Sequence, residues 1–248
     1  MANRIGEDII DLLLLPSTAT LTSVMRELGV TNVFMHRVEP LCSGMKMAGP
    51  AYTLRYIPAR QDLDTSVIDN LRDVQRIGIE EIAPGQVLVI DARGDTRAGT
   101  MGAILATRIY QRGAVGVVTD VAFRDSPVIA EIGLPAYAVA LNANTNKTIH
   151  HPSEIQVPIA CGGVAVVPND IIVGDGEGVV VVPASMAEKV AEMAIAMEEK
   201  EDFLLEKKNL ELQIVLQTLD YMDMLNLQQQ HLILLLVRCK QYKKLSTM

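Results

Sequence analysis

Two apolar runs, each followed by a loop rich in aspartate and arginine, constrain the fold of this chain most strongly. The first is VLVIDARGD at 87–95, and the second is GVVTDVAFRD at 116–125. The segment between them, MGAILATRIYQRG at 101–113, has the apolar spacing of an amphipathic helix and ends in a glycine that can cap it. This order of strand, helix and strand predicts an α/β domain in which both polar loops reach the carboxyl edge of one sheet.

Patterns elsewhere in the chain extend this α/β domain. They predict helices at 5–15, 18–28 and 62–78, strands at 45–57 and 134–139, and short strands joined by tight turns at 162–183. We expect the third of these helices to stop at Gly78. A long helix should follow Pro183, and the last residues are rich in Leu and Gln with few turn signals. We therefore expect one domain, residues 1–203, and a C-terminal helical arm, residues 204–248.

Composition excludes several classes of partner. The net charge of −8 has the wrong sign for a nucleic-acid binder, and aromatic residues make up only 4% of the chain, which disfavours base stacking. The longest aliphatic runs, at 12–15 and 232–237, are far too short to span a membrane. The N-terminus lacks the pattern of a signal peptide, and three cysteines without metal spacing indicate reduced thiols. We expect a cytoplasmic protein.

The two polar loops could form a site for an anionic ligand and a metal ion. Gly102 opens the predicted helix, whose first backbone N–H groups can bind a carboxylate or phosphate. Arg124 could hold a carboxylate through two hydrogen bonds, and Asp125 could hold a cation such as Mg²⁺. Asp95 and Asp120 follow the same strands. These residues fit a structural cluster of ion pairs equally well, and the pattern alone leaves both readings open.

Several segments resemble the RraA-like family and follow the order that the family shows. They are STATLTSVMRELG, MAGPAYTLRYIPARQDLD, DARGDTRAGTMGAILATRIYQRGAVGVVTDVAFRDSP, GLPAYA and NDIIVGDGEGVVVVP, within residues 8–203. The family includes class II 4-hydroxy-4-methyl-2-oxoglutarate aldolases, oxaloacetate decarboxylases and the regulator of ribonuclease activity A, and some members carry an older methyltransferase name. The resemblance implies a β/β/α swivelling-domain fold that assembles as trimers or hexamers.

The resemblance also implies roles for individual residues. A cradle of backbone N–H groups for the substrate carboxylate would comprise Gly102, Ala103, Ile104 and Leu105. Arg124 would contact the 2-oxo acid and stabilise an enolate, and Asp125 would hold Mg²⁺ or Mn²⁺. Asp95 and Asp120 are secondary candidates from the same strand ends.

The activity that the resemblance implies is cleavage of a carbon–carbon bond in a small 2-oxo acid, by an aldolase or an oxaloacetate decarboxylase. The alternative is a non-catalytic regulator that binds a ribonuclease. The matching motifs contain no lysine, so a Schiff-base mechanism is not expected. The chain departs from many aldolase members at Ala103 and Val128, where they have acids, and at Val121, where they have glycine.

Overall fold

A computed structural model describes residues 6–60, 62 and 71–208 of the 248-residue chain. The strands in these residues are β1 (Glu39–Pro40), β2 (Met47–Pro58), β3 (Val87–Asp91), β4 (Gly99–Met101), β5 (Gly116–Thr119), β6 (Ala122–Phe123), β7 (Ala136–Ala138), β8 (Ala140–Leu141), β9 (His150–Ile155), β10 (Ile159–Cys161), β11 (Val164–Val166), β12 (Ile171–Gly174) and β13 (Val179–Val182). The helices of the first 198 residues are α1 (Glu7–Leu13), α2 (Thr18–Glu27), α3 (Val74–Glu81), α4 (Ala103–Gln111), α5 (Ser126–Ile132) and α6 (187–198). Short 3-10 turns occupy Asn146–Thr148 and Ala184–Met186.

One mixed sheet forms the centre of the domain, in the order β1-β7-β5-β3-β2-β12-β13, with β9 also paired to β2. Strands β2, β3, β5 and β7 are parallel, and β12 and β9 run antiparallel to β2. All residues of β3 and β5 are buried, as expected for parallel strands covered on both faces. The α/β fold expected from the two apolar runs is confirmed.

A second, smaller sheet lies beyond the carboxyl ends of the parallel strands. It contains β4, β6 and β8, and all of its pairs are parallel. Each of these short strands follows one of the parallel strands along the chain, β4 after β3, β6 after β5 and β8 after β7. The small sheet therefore brings together the segments that leave three neighbouring strands.

Three hydrophobic clusters join the layers. One packs α3, α4 and α5 on the sheet through residues such as Ile79, Ile109 and Ile129. A second lies between the sheet and the β10–β11 hairpin, and the third packs α1, α2 and α6 on β12 and β13. The first cluster matters most for function because it fixes α3 and α4 beside the small sheet.

Helix α3 differs from its sequence-based prediction at both ends. It begins at Val74, where the Asp73 carboxylate accepts a hydrogen bond of 3.0 Å from the Arg76 N–H. Gly78 lies inside the helix, which continues to Glu81. A glycine suits this position because α3 packs so closely on β9 that a β-carbon there would lie 3.1 Å from Cγ2 of Ile155. The prediction that Gly78 ends the helix is therefore wrong. Residues 61 and 63–70, where we also predicted helix, lie outside the described residues.

The chain forms two compact units, Met1–Glu198 and Glu199–Met248. In the second unit the described residues, 199–208, are helical. The predicted arm at 204–248 is thus helical as far as residue 208, and its remainder lies outside the described residues. Among the residues that the structure describes, no helix combines the length and the apolar character needed to cross a membrane.

Gly49 in β2 provides a test of the packing between the sheet and its loops. A β-carbon at Gly49 would collide with the carbonyl oxygen of Gly85 and lie 2.8 Å from Cγ2 of Val115. We predict that Gly49→Ala lowers the free energy of unfolding by about 2 kcal/mol, the usual cost of overpacking. Urea denaturation measures this loss. Gly176→Ala is the matched control, since its β-carbon would meet open space, and equal stability of the two variants would contradict the prediction.

Candidate active site

The pairing of β4 with β6 places the two polar loops side by side. Met101 lies opposite Phe123, and the Arg124 N–H donates a hydrogen bond of 3.0 Å to the Met101 carbonyl. Gly99 permits this close approach, because a β-carbon there would lie 2.7 Å from the Arg124 backbone nitrogen. Gly102, the residue after Met101, therefore lies next to Arg124.

Gly102 is the N-cap of α4, and its missing side chain leaves room for a carboxylate. The Ala103 N–H donates to Oδ2 of Asp125 at 3.3 Å. A β-carbon on Gly102 would lie 2.6 Å from the same oxygen. The first N–H groups of a helix lack intrahelical acceptors and carry partial positive charge. The Asp125 carboxylate thus marks a position where an anion oxygen can meet the start of α4.

Asp125 reaches this position through an uncommon backbone conformation. Its φ of 55° and ψ of 30° lie in the left-handed region, which costs a non-glycine residue on the order of 1 kcal/mol. Oδ2 of Asp125 lies 3.7 Å from Nε of Arg124, beyond hydrogen-bond distance. This Nε is buried and has no hydrogen-bond partner among the described residues. A ligand oxygen would satisfy a donor that the fold leaves unpaired.

A cavity of about 200 Å³ opens at this point. Its lining includes residues that the sequence analysis singled out, namely Gly102, Ile104, Leu105, Arg124 and Asp125. Ligand pockets usually measure roughly 300–1,000 Å³, so this cavity suits a small organic acid better than a cofactor. Ala103 adjoins it through the N–H group that meets Asp125.

Further polar residues line the cavity that the sequence analysis missed: Gln75, Arg76, Asn146 and Lys147. Nε2 of Gln75 donates to the Thr100 carbonyl at 2.8 Å, and Nδ2 of Asn146 donates to Oε1 of Gln75 at 3.0 Å. The Tyr56 hydroxyl lies 3.4 Å from the same carbonyl. These bonds hold β4, and with it Gly102, against α3. The available signal in the sequence was a polar residue, Gln75, at helical spacing from the apolar residues Ile68 and Leu71.

Asp95 and Asp120 do not line the cavity. Asp120 accepts hydrogen bonds from the N–H groups of Ala92 at 2.8 Å and Gly94 at 2.9 Å. Asp95 forms a salt bridge of 2.6 Å with Arg97, and that guanidinium lowers the pKa of the carboxyl. Both carboxylates therefore shape the loop between β3 and β4, while their proposed role in the site stays a prediction.

The acidic residues of the site decide what metal it could hold. Asp125 is the only acid among the described residues that line the cavity, and those residues contain no cluster of three metal-binding side chains. Positions 121 and 128 add no carboxylate because both are valines, the first buried and the second 48% exposed on α5. Mg²⁺ commonly keeps several waters and binds through one or two carboxylates together with its substrate. Asp125 therefore fits a site in which Mg²⁺ is bound by one protein carboxylate together with substrate and water.

Comparison with known proteins identifies the family. Residues 9–181, more than half of the chain, match the RraA-like family model described as Aldolase/RraA. The chain belongs to the RraA-like family. The family expected from the sequence motifs is thereby confirmed.

Three relatives of this RraA-like protein show the range of the family. A Halalkalibacterium halodurans protein provisionally named 4-hydroxy-4-methyl-2-oxoglutarate aldolase is 32% identical over 67% of this chain and 73% of its own. A 4-hydroxy-4-methyl-2-oxoglutarate aldolase of Thermus thermophilus is 33% identical over 42% of this chain and 63% of its own. The crystal structure of Streptomyces coelicolor RraAS2, described as an unusual member of the RNase ES inhibitor RraA family, superposes with a TM-score of 0.74. It is 31% identical and covers 82% of this chain and 98% of its own.

The buried carboxyl of Asp120 predicts a measurable pH dependence of stability. Burial and, to a smaller extent, the charge of Asp91 raise the pKa of Asp120 to about 6, against an ordinary value near 3.9 in unfolded chains. Between these values the folded state binds more protons. The stability from this group is therefore present below about pH 4 and lost as the pH rises through about 6.

We predict that the stability advantage of the wild type over Asp120→Asn falls by about 2–3 kcal/mol between about pH 4 and pH 7. Urea denaturation of both proteins at the two pH values measures this difference. The variant has no carboxyl at this position and so serves as the control for other groups that titrate in the same range. An advantage that stays constant would contradict the raised pKa.

Proposed function

We propose that the protein is a divalent-metal-dependent lyase that cleaves a carbon–carbon bond of a small 2-oxo acid. The reaction would be retro-aldol cleavage of a 4-hydroxy-2-oxo diacid or decarboxylation of oxaloacetate. One observation carries the proposal: the buried, unpartnered Nε of Arg124 lies beside the N-terminus of α4, in a small cavity. The names of the aldolase relatives agree with this reaction class.

The start of α4 would bind the substrate carboxylate. The N–H groups of Ala103, Ile104 and Leu105 belong to the first turn, where an anion gains both hydrogen bonds and the favourable end of the helix dipole. The Ala103 N–H now donates to Asp125. A substrate carboxylate would replace Asp125 at this N–H, and the Asp125 side chain would become available to a cation.

Arg124 would stabilise the charge that develops during cleavage. When the C3–C4 bond breaks, its electron pair stays with C3 and delocalises onto the 2-oxo oxygen, which gives the enolate of pyruvate. C4 leaves as carbon dioxide from oxaloacetate, or as a 2-oxo acid from a 4-hydroxy-2-oxo diacid once the 4-hydroxyl has lost its proton to water. A proton added at C3 then completes pyruvate. A fixed guanidinium beside the oxygen lowers the barrier, and loss of one such stabilising donor typically costs about 3 kcal/mol.

Asp125 would hold Mg²⁺ or Mn²⁺, both of which prefer carboxylate oxygens. A bound divalent cation supplies Lewis-acid polarisation of the 2-oxo group. Asp125 can serve this role because it belongs to the lining of the cavity, with Oδ2 3.7 Å from Nε of Arg124.

The position of Lys147 bears on whether the site could form a Schiff base. The matching motifs contain no lysine, but the fold brings Lys147 into the lining of the cavity. Its ammonium forms a salt bridge with the Asp73 carboxylate, whose side chain is only 8% exposed. A protonated amine in such a pair lacks the lone pair that attack on a carbonyl requires. The proposal therefore keeps a mechanism without a covalent lysine intermediate.

Regulation of a ribonuclease is the second candidate function. The similarity to Streptomyces coelicolor RraAS2 extends over 98% of that chain and favours it. Purified protein added to an RNase ES cleavage assay tests this function directly. Inhibition that persists in Arg124→Ala would separate a binding surface from the lyase site.

We predict that the purified protein releases pyruvate from oxaloacetate or a 4-hydroxy-2-oxo diacid in the presence of Mg²⁺ or Mn²⁺. In Arg124→Ala, kcat/KM should fall by about 100-fold or more, because the enolate loses its fixed charge. A coupled assay for pyruvate, with and without a chelator, measures both effects.

Arg97→Ala is the matched control for this experiment. Arg97 is also an arginine of a strand-end loop, but its guanidinium pairs with Asp95 on the surface and does not line the cavity. Its activity should match that of the wild type. Absence of turnover across a panel of 2-oxo acids with either metal would refute the lyase proposal.

A further inference from the structure

The cavity is lined by more positive than negative side chains. Arg76, Arg124 and Lys147 line it, whereas Asp125 is its only acid among the described residues. A 2-oxo acid with one carboxylate would use the start of α4 and Arg124. The charges contributed by α3 and the Asn146–Thr148 turn would then have no role.

Lys147 is already neutralised within the protein. Its ammonium pairs with Asp73, and the same carboxylate caps α3 by accepting a hydrogen bond from the Arg76 N–H at 3.0 Å. The Asp73 side chain is 8% exposed, so it depends on this partner to offset the loss of water. Lys147 therefore contributes mainly to the structure of the cavity wall.

Arg76 differs, because its guanidinium makes no hydrogen bond or salt bridge within the described part of the chain. The residue is half-buried in the first turn of α3 and lines the cavity. A half-buried arginine at a cavity, without an internal partner, is well suited to bind a ligand anion.

The position of Arg76 is fixed independently of any ligand. Its neighbour Gln75 is 3% exposed and donates to the Thr100 carbonyl, which attaches the first turn of α3 to β4. Gly78 lets α3 pack closely on Tyr52 and Ile155. Arg76 and Arg124 therefore belong to different elements, α3 and the β6–α5 junction, that the fold holds around one cavity.

We propose that Arg76 binds a second, distal carboxylate of the substrate, so that this protein selects 2-oxo diacids over 2-oxo monoacids. The inference rests on the proposed function, in which the first carboxylate lies at the start of α4. Arg76 is a specificity-determining residue in this scheme, and it takes no part in stabilising the enolate.

A matched pair of unreactive ligands tests this inference by binding alone. The diacid 2-oxoglutarate and the monoacid 2-oxopentanoate have the same carbon chain and differ only in the distal carboxylate. With Mg²⁺ present, calorimetric titration of the wild type should show about tenfold or more tighter binding of the diacid, as for a hydrogen bond between charged groups. Arg76→Gln should remove this preference and leave the affinity for the monoacid unchanged.

Two further variants complete the design. Arg108→Gln removes an arginine of α4 that pairs with Glu80 on the surface and lies outside the cavity lining, and it should keep the full preference. Arg76→Lys keeps the charge but loses the planar fork, so its preference should be at least about threefold smaller than that of the wild type. This variant also decides the question if Arg76→Gln does not fold.

The inference is overturned if the wild type binds both ligands equally well or binds neither. It is also overturned if both Arg76 variants keep the preference of the wild type. Failure of the proposed function gives a different result, namely a wild type that prefers the diacid through Arg76 but releases no pyruvate from any 2-oxo acid.

Discussion

The parallel pairing of β4 with β6 is the interaction on which the candidate site depends. Strands β3 and β5 end at the same edge of the main sheet, but their exit loops differ in length and could diverge. The bond from the Arg124 N–H to the Met101 carbonyl joins them again. This one contact sets Gly102 beside Arg124, so the start of α4, the guanidinium and Asp125 converge without a long-range electrostatic attraction.

Local charge, and not the net charge of the chain, determines which ligand such a site can take. The protein carries a net charge of −8, which disfavours anions at a distance. Within the cavity, however, the start of α4 and two arginines outweigh one aspartate. The proposed site would recognise a small anion by contact, where burial strengthens each hydrogen bond, and would gain little from long-range attraction.

The strand ends could be predicted from the sequence because the signals there are local. Apolar runs mark the strands, Gly102 marks the start of a helix, and Arg124 with Asp125 follows directly. The structure places these residues together at one cavity. Strand-end carboxylates have a second use, however, since Asp120 serves the N–H groups of the loop after β3. Sequence alone does not separate these two uses.

The opposite wall of the cavity could not be predicted in the same way. Arg76 and Lys147 lie far apart along the chain, and they meet because α3 packs closely on the sheet at Gly78. The predicted helix at 62–78 includes Gln75 and Arg76, but nothing in the sequence indicates that Lys147 lies near them in the fold. Assembly as trimers or hexamers, the boundary at residue 203 and a cytoplasmic location stay predictions.

The position of Asp125 links the binding of a substrate carboxylate to the binding of a metal ion. Its carboxylate accepts a hydrogen bond from the Ala103 N–H and so occupies the place proposed for a substrate carboxylate. In the proposed function, substrate binding would exchange one anion for another at the start of α4, which limits the cost of leaving these N–H groups unpaired. Arg124 precedes Asp125 in the chain, and its Nε lies 3.7 Å from Oδ2 of Asp125, so a guanidinium adjoins the carboxylate that would be displaced. A cation that binds Asp125 would favour the displaced state, so metal and substrate should each strengthen the binding of the other.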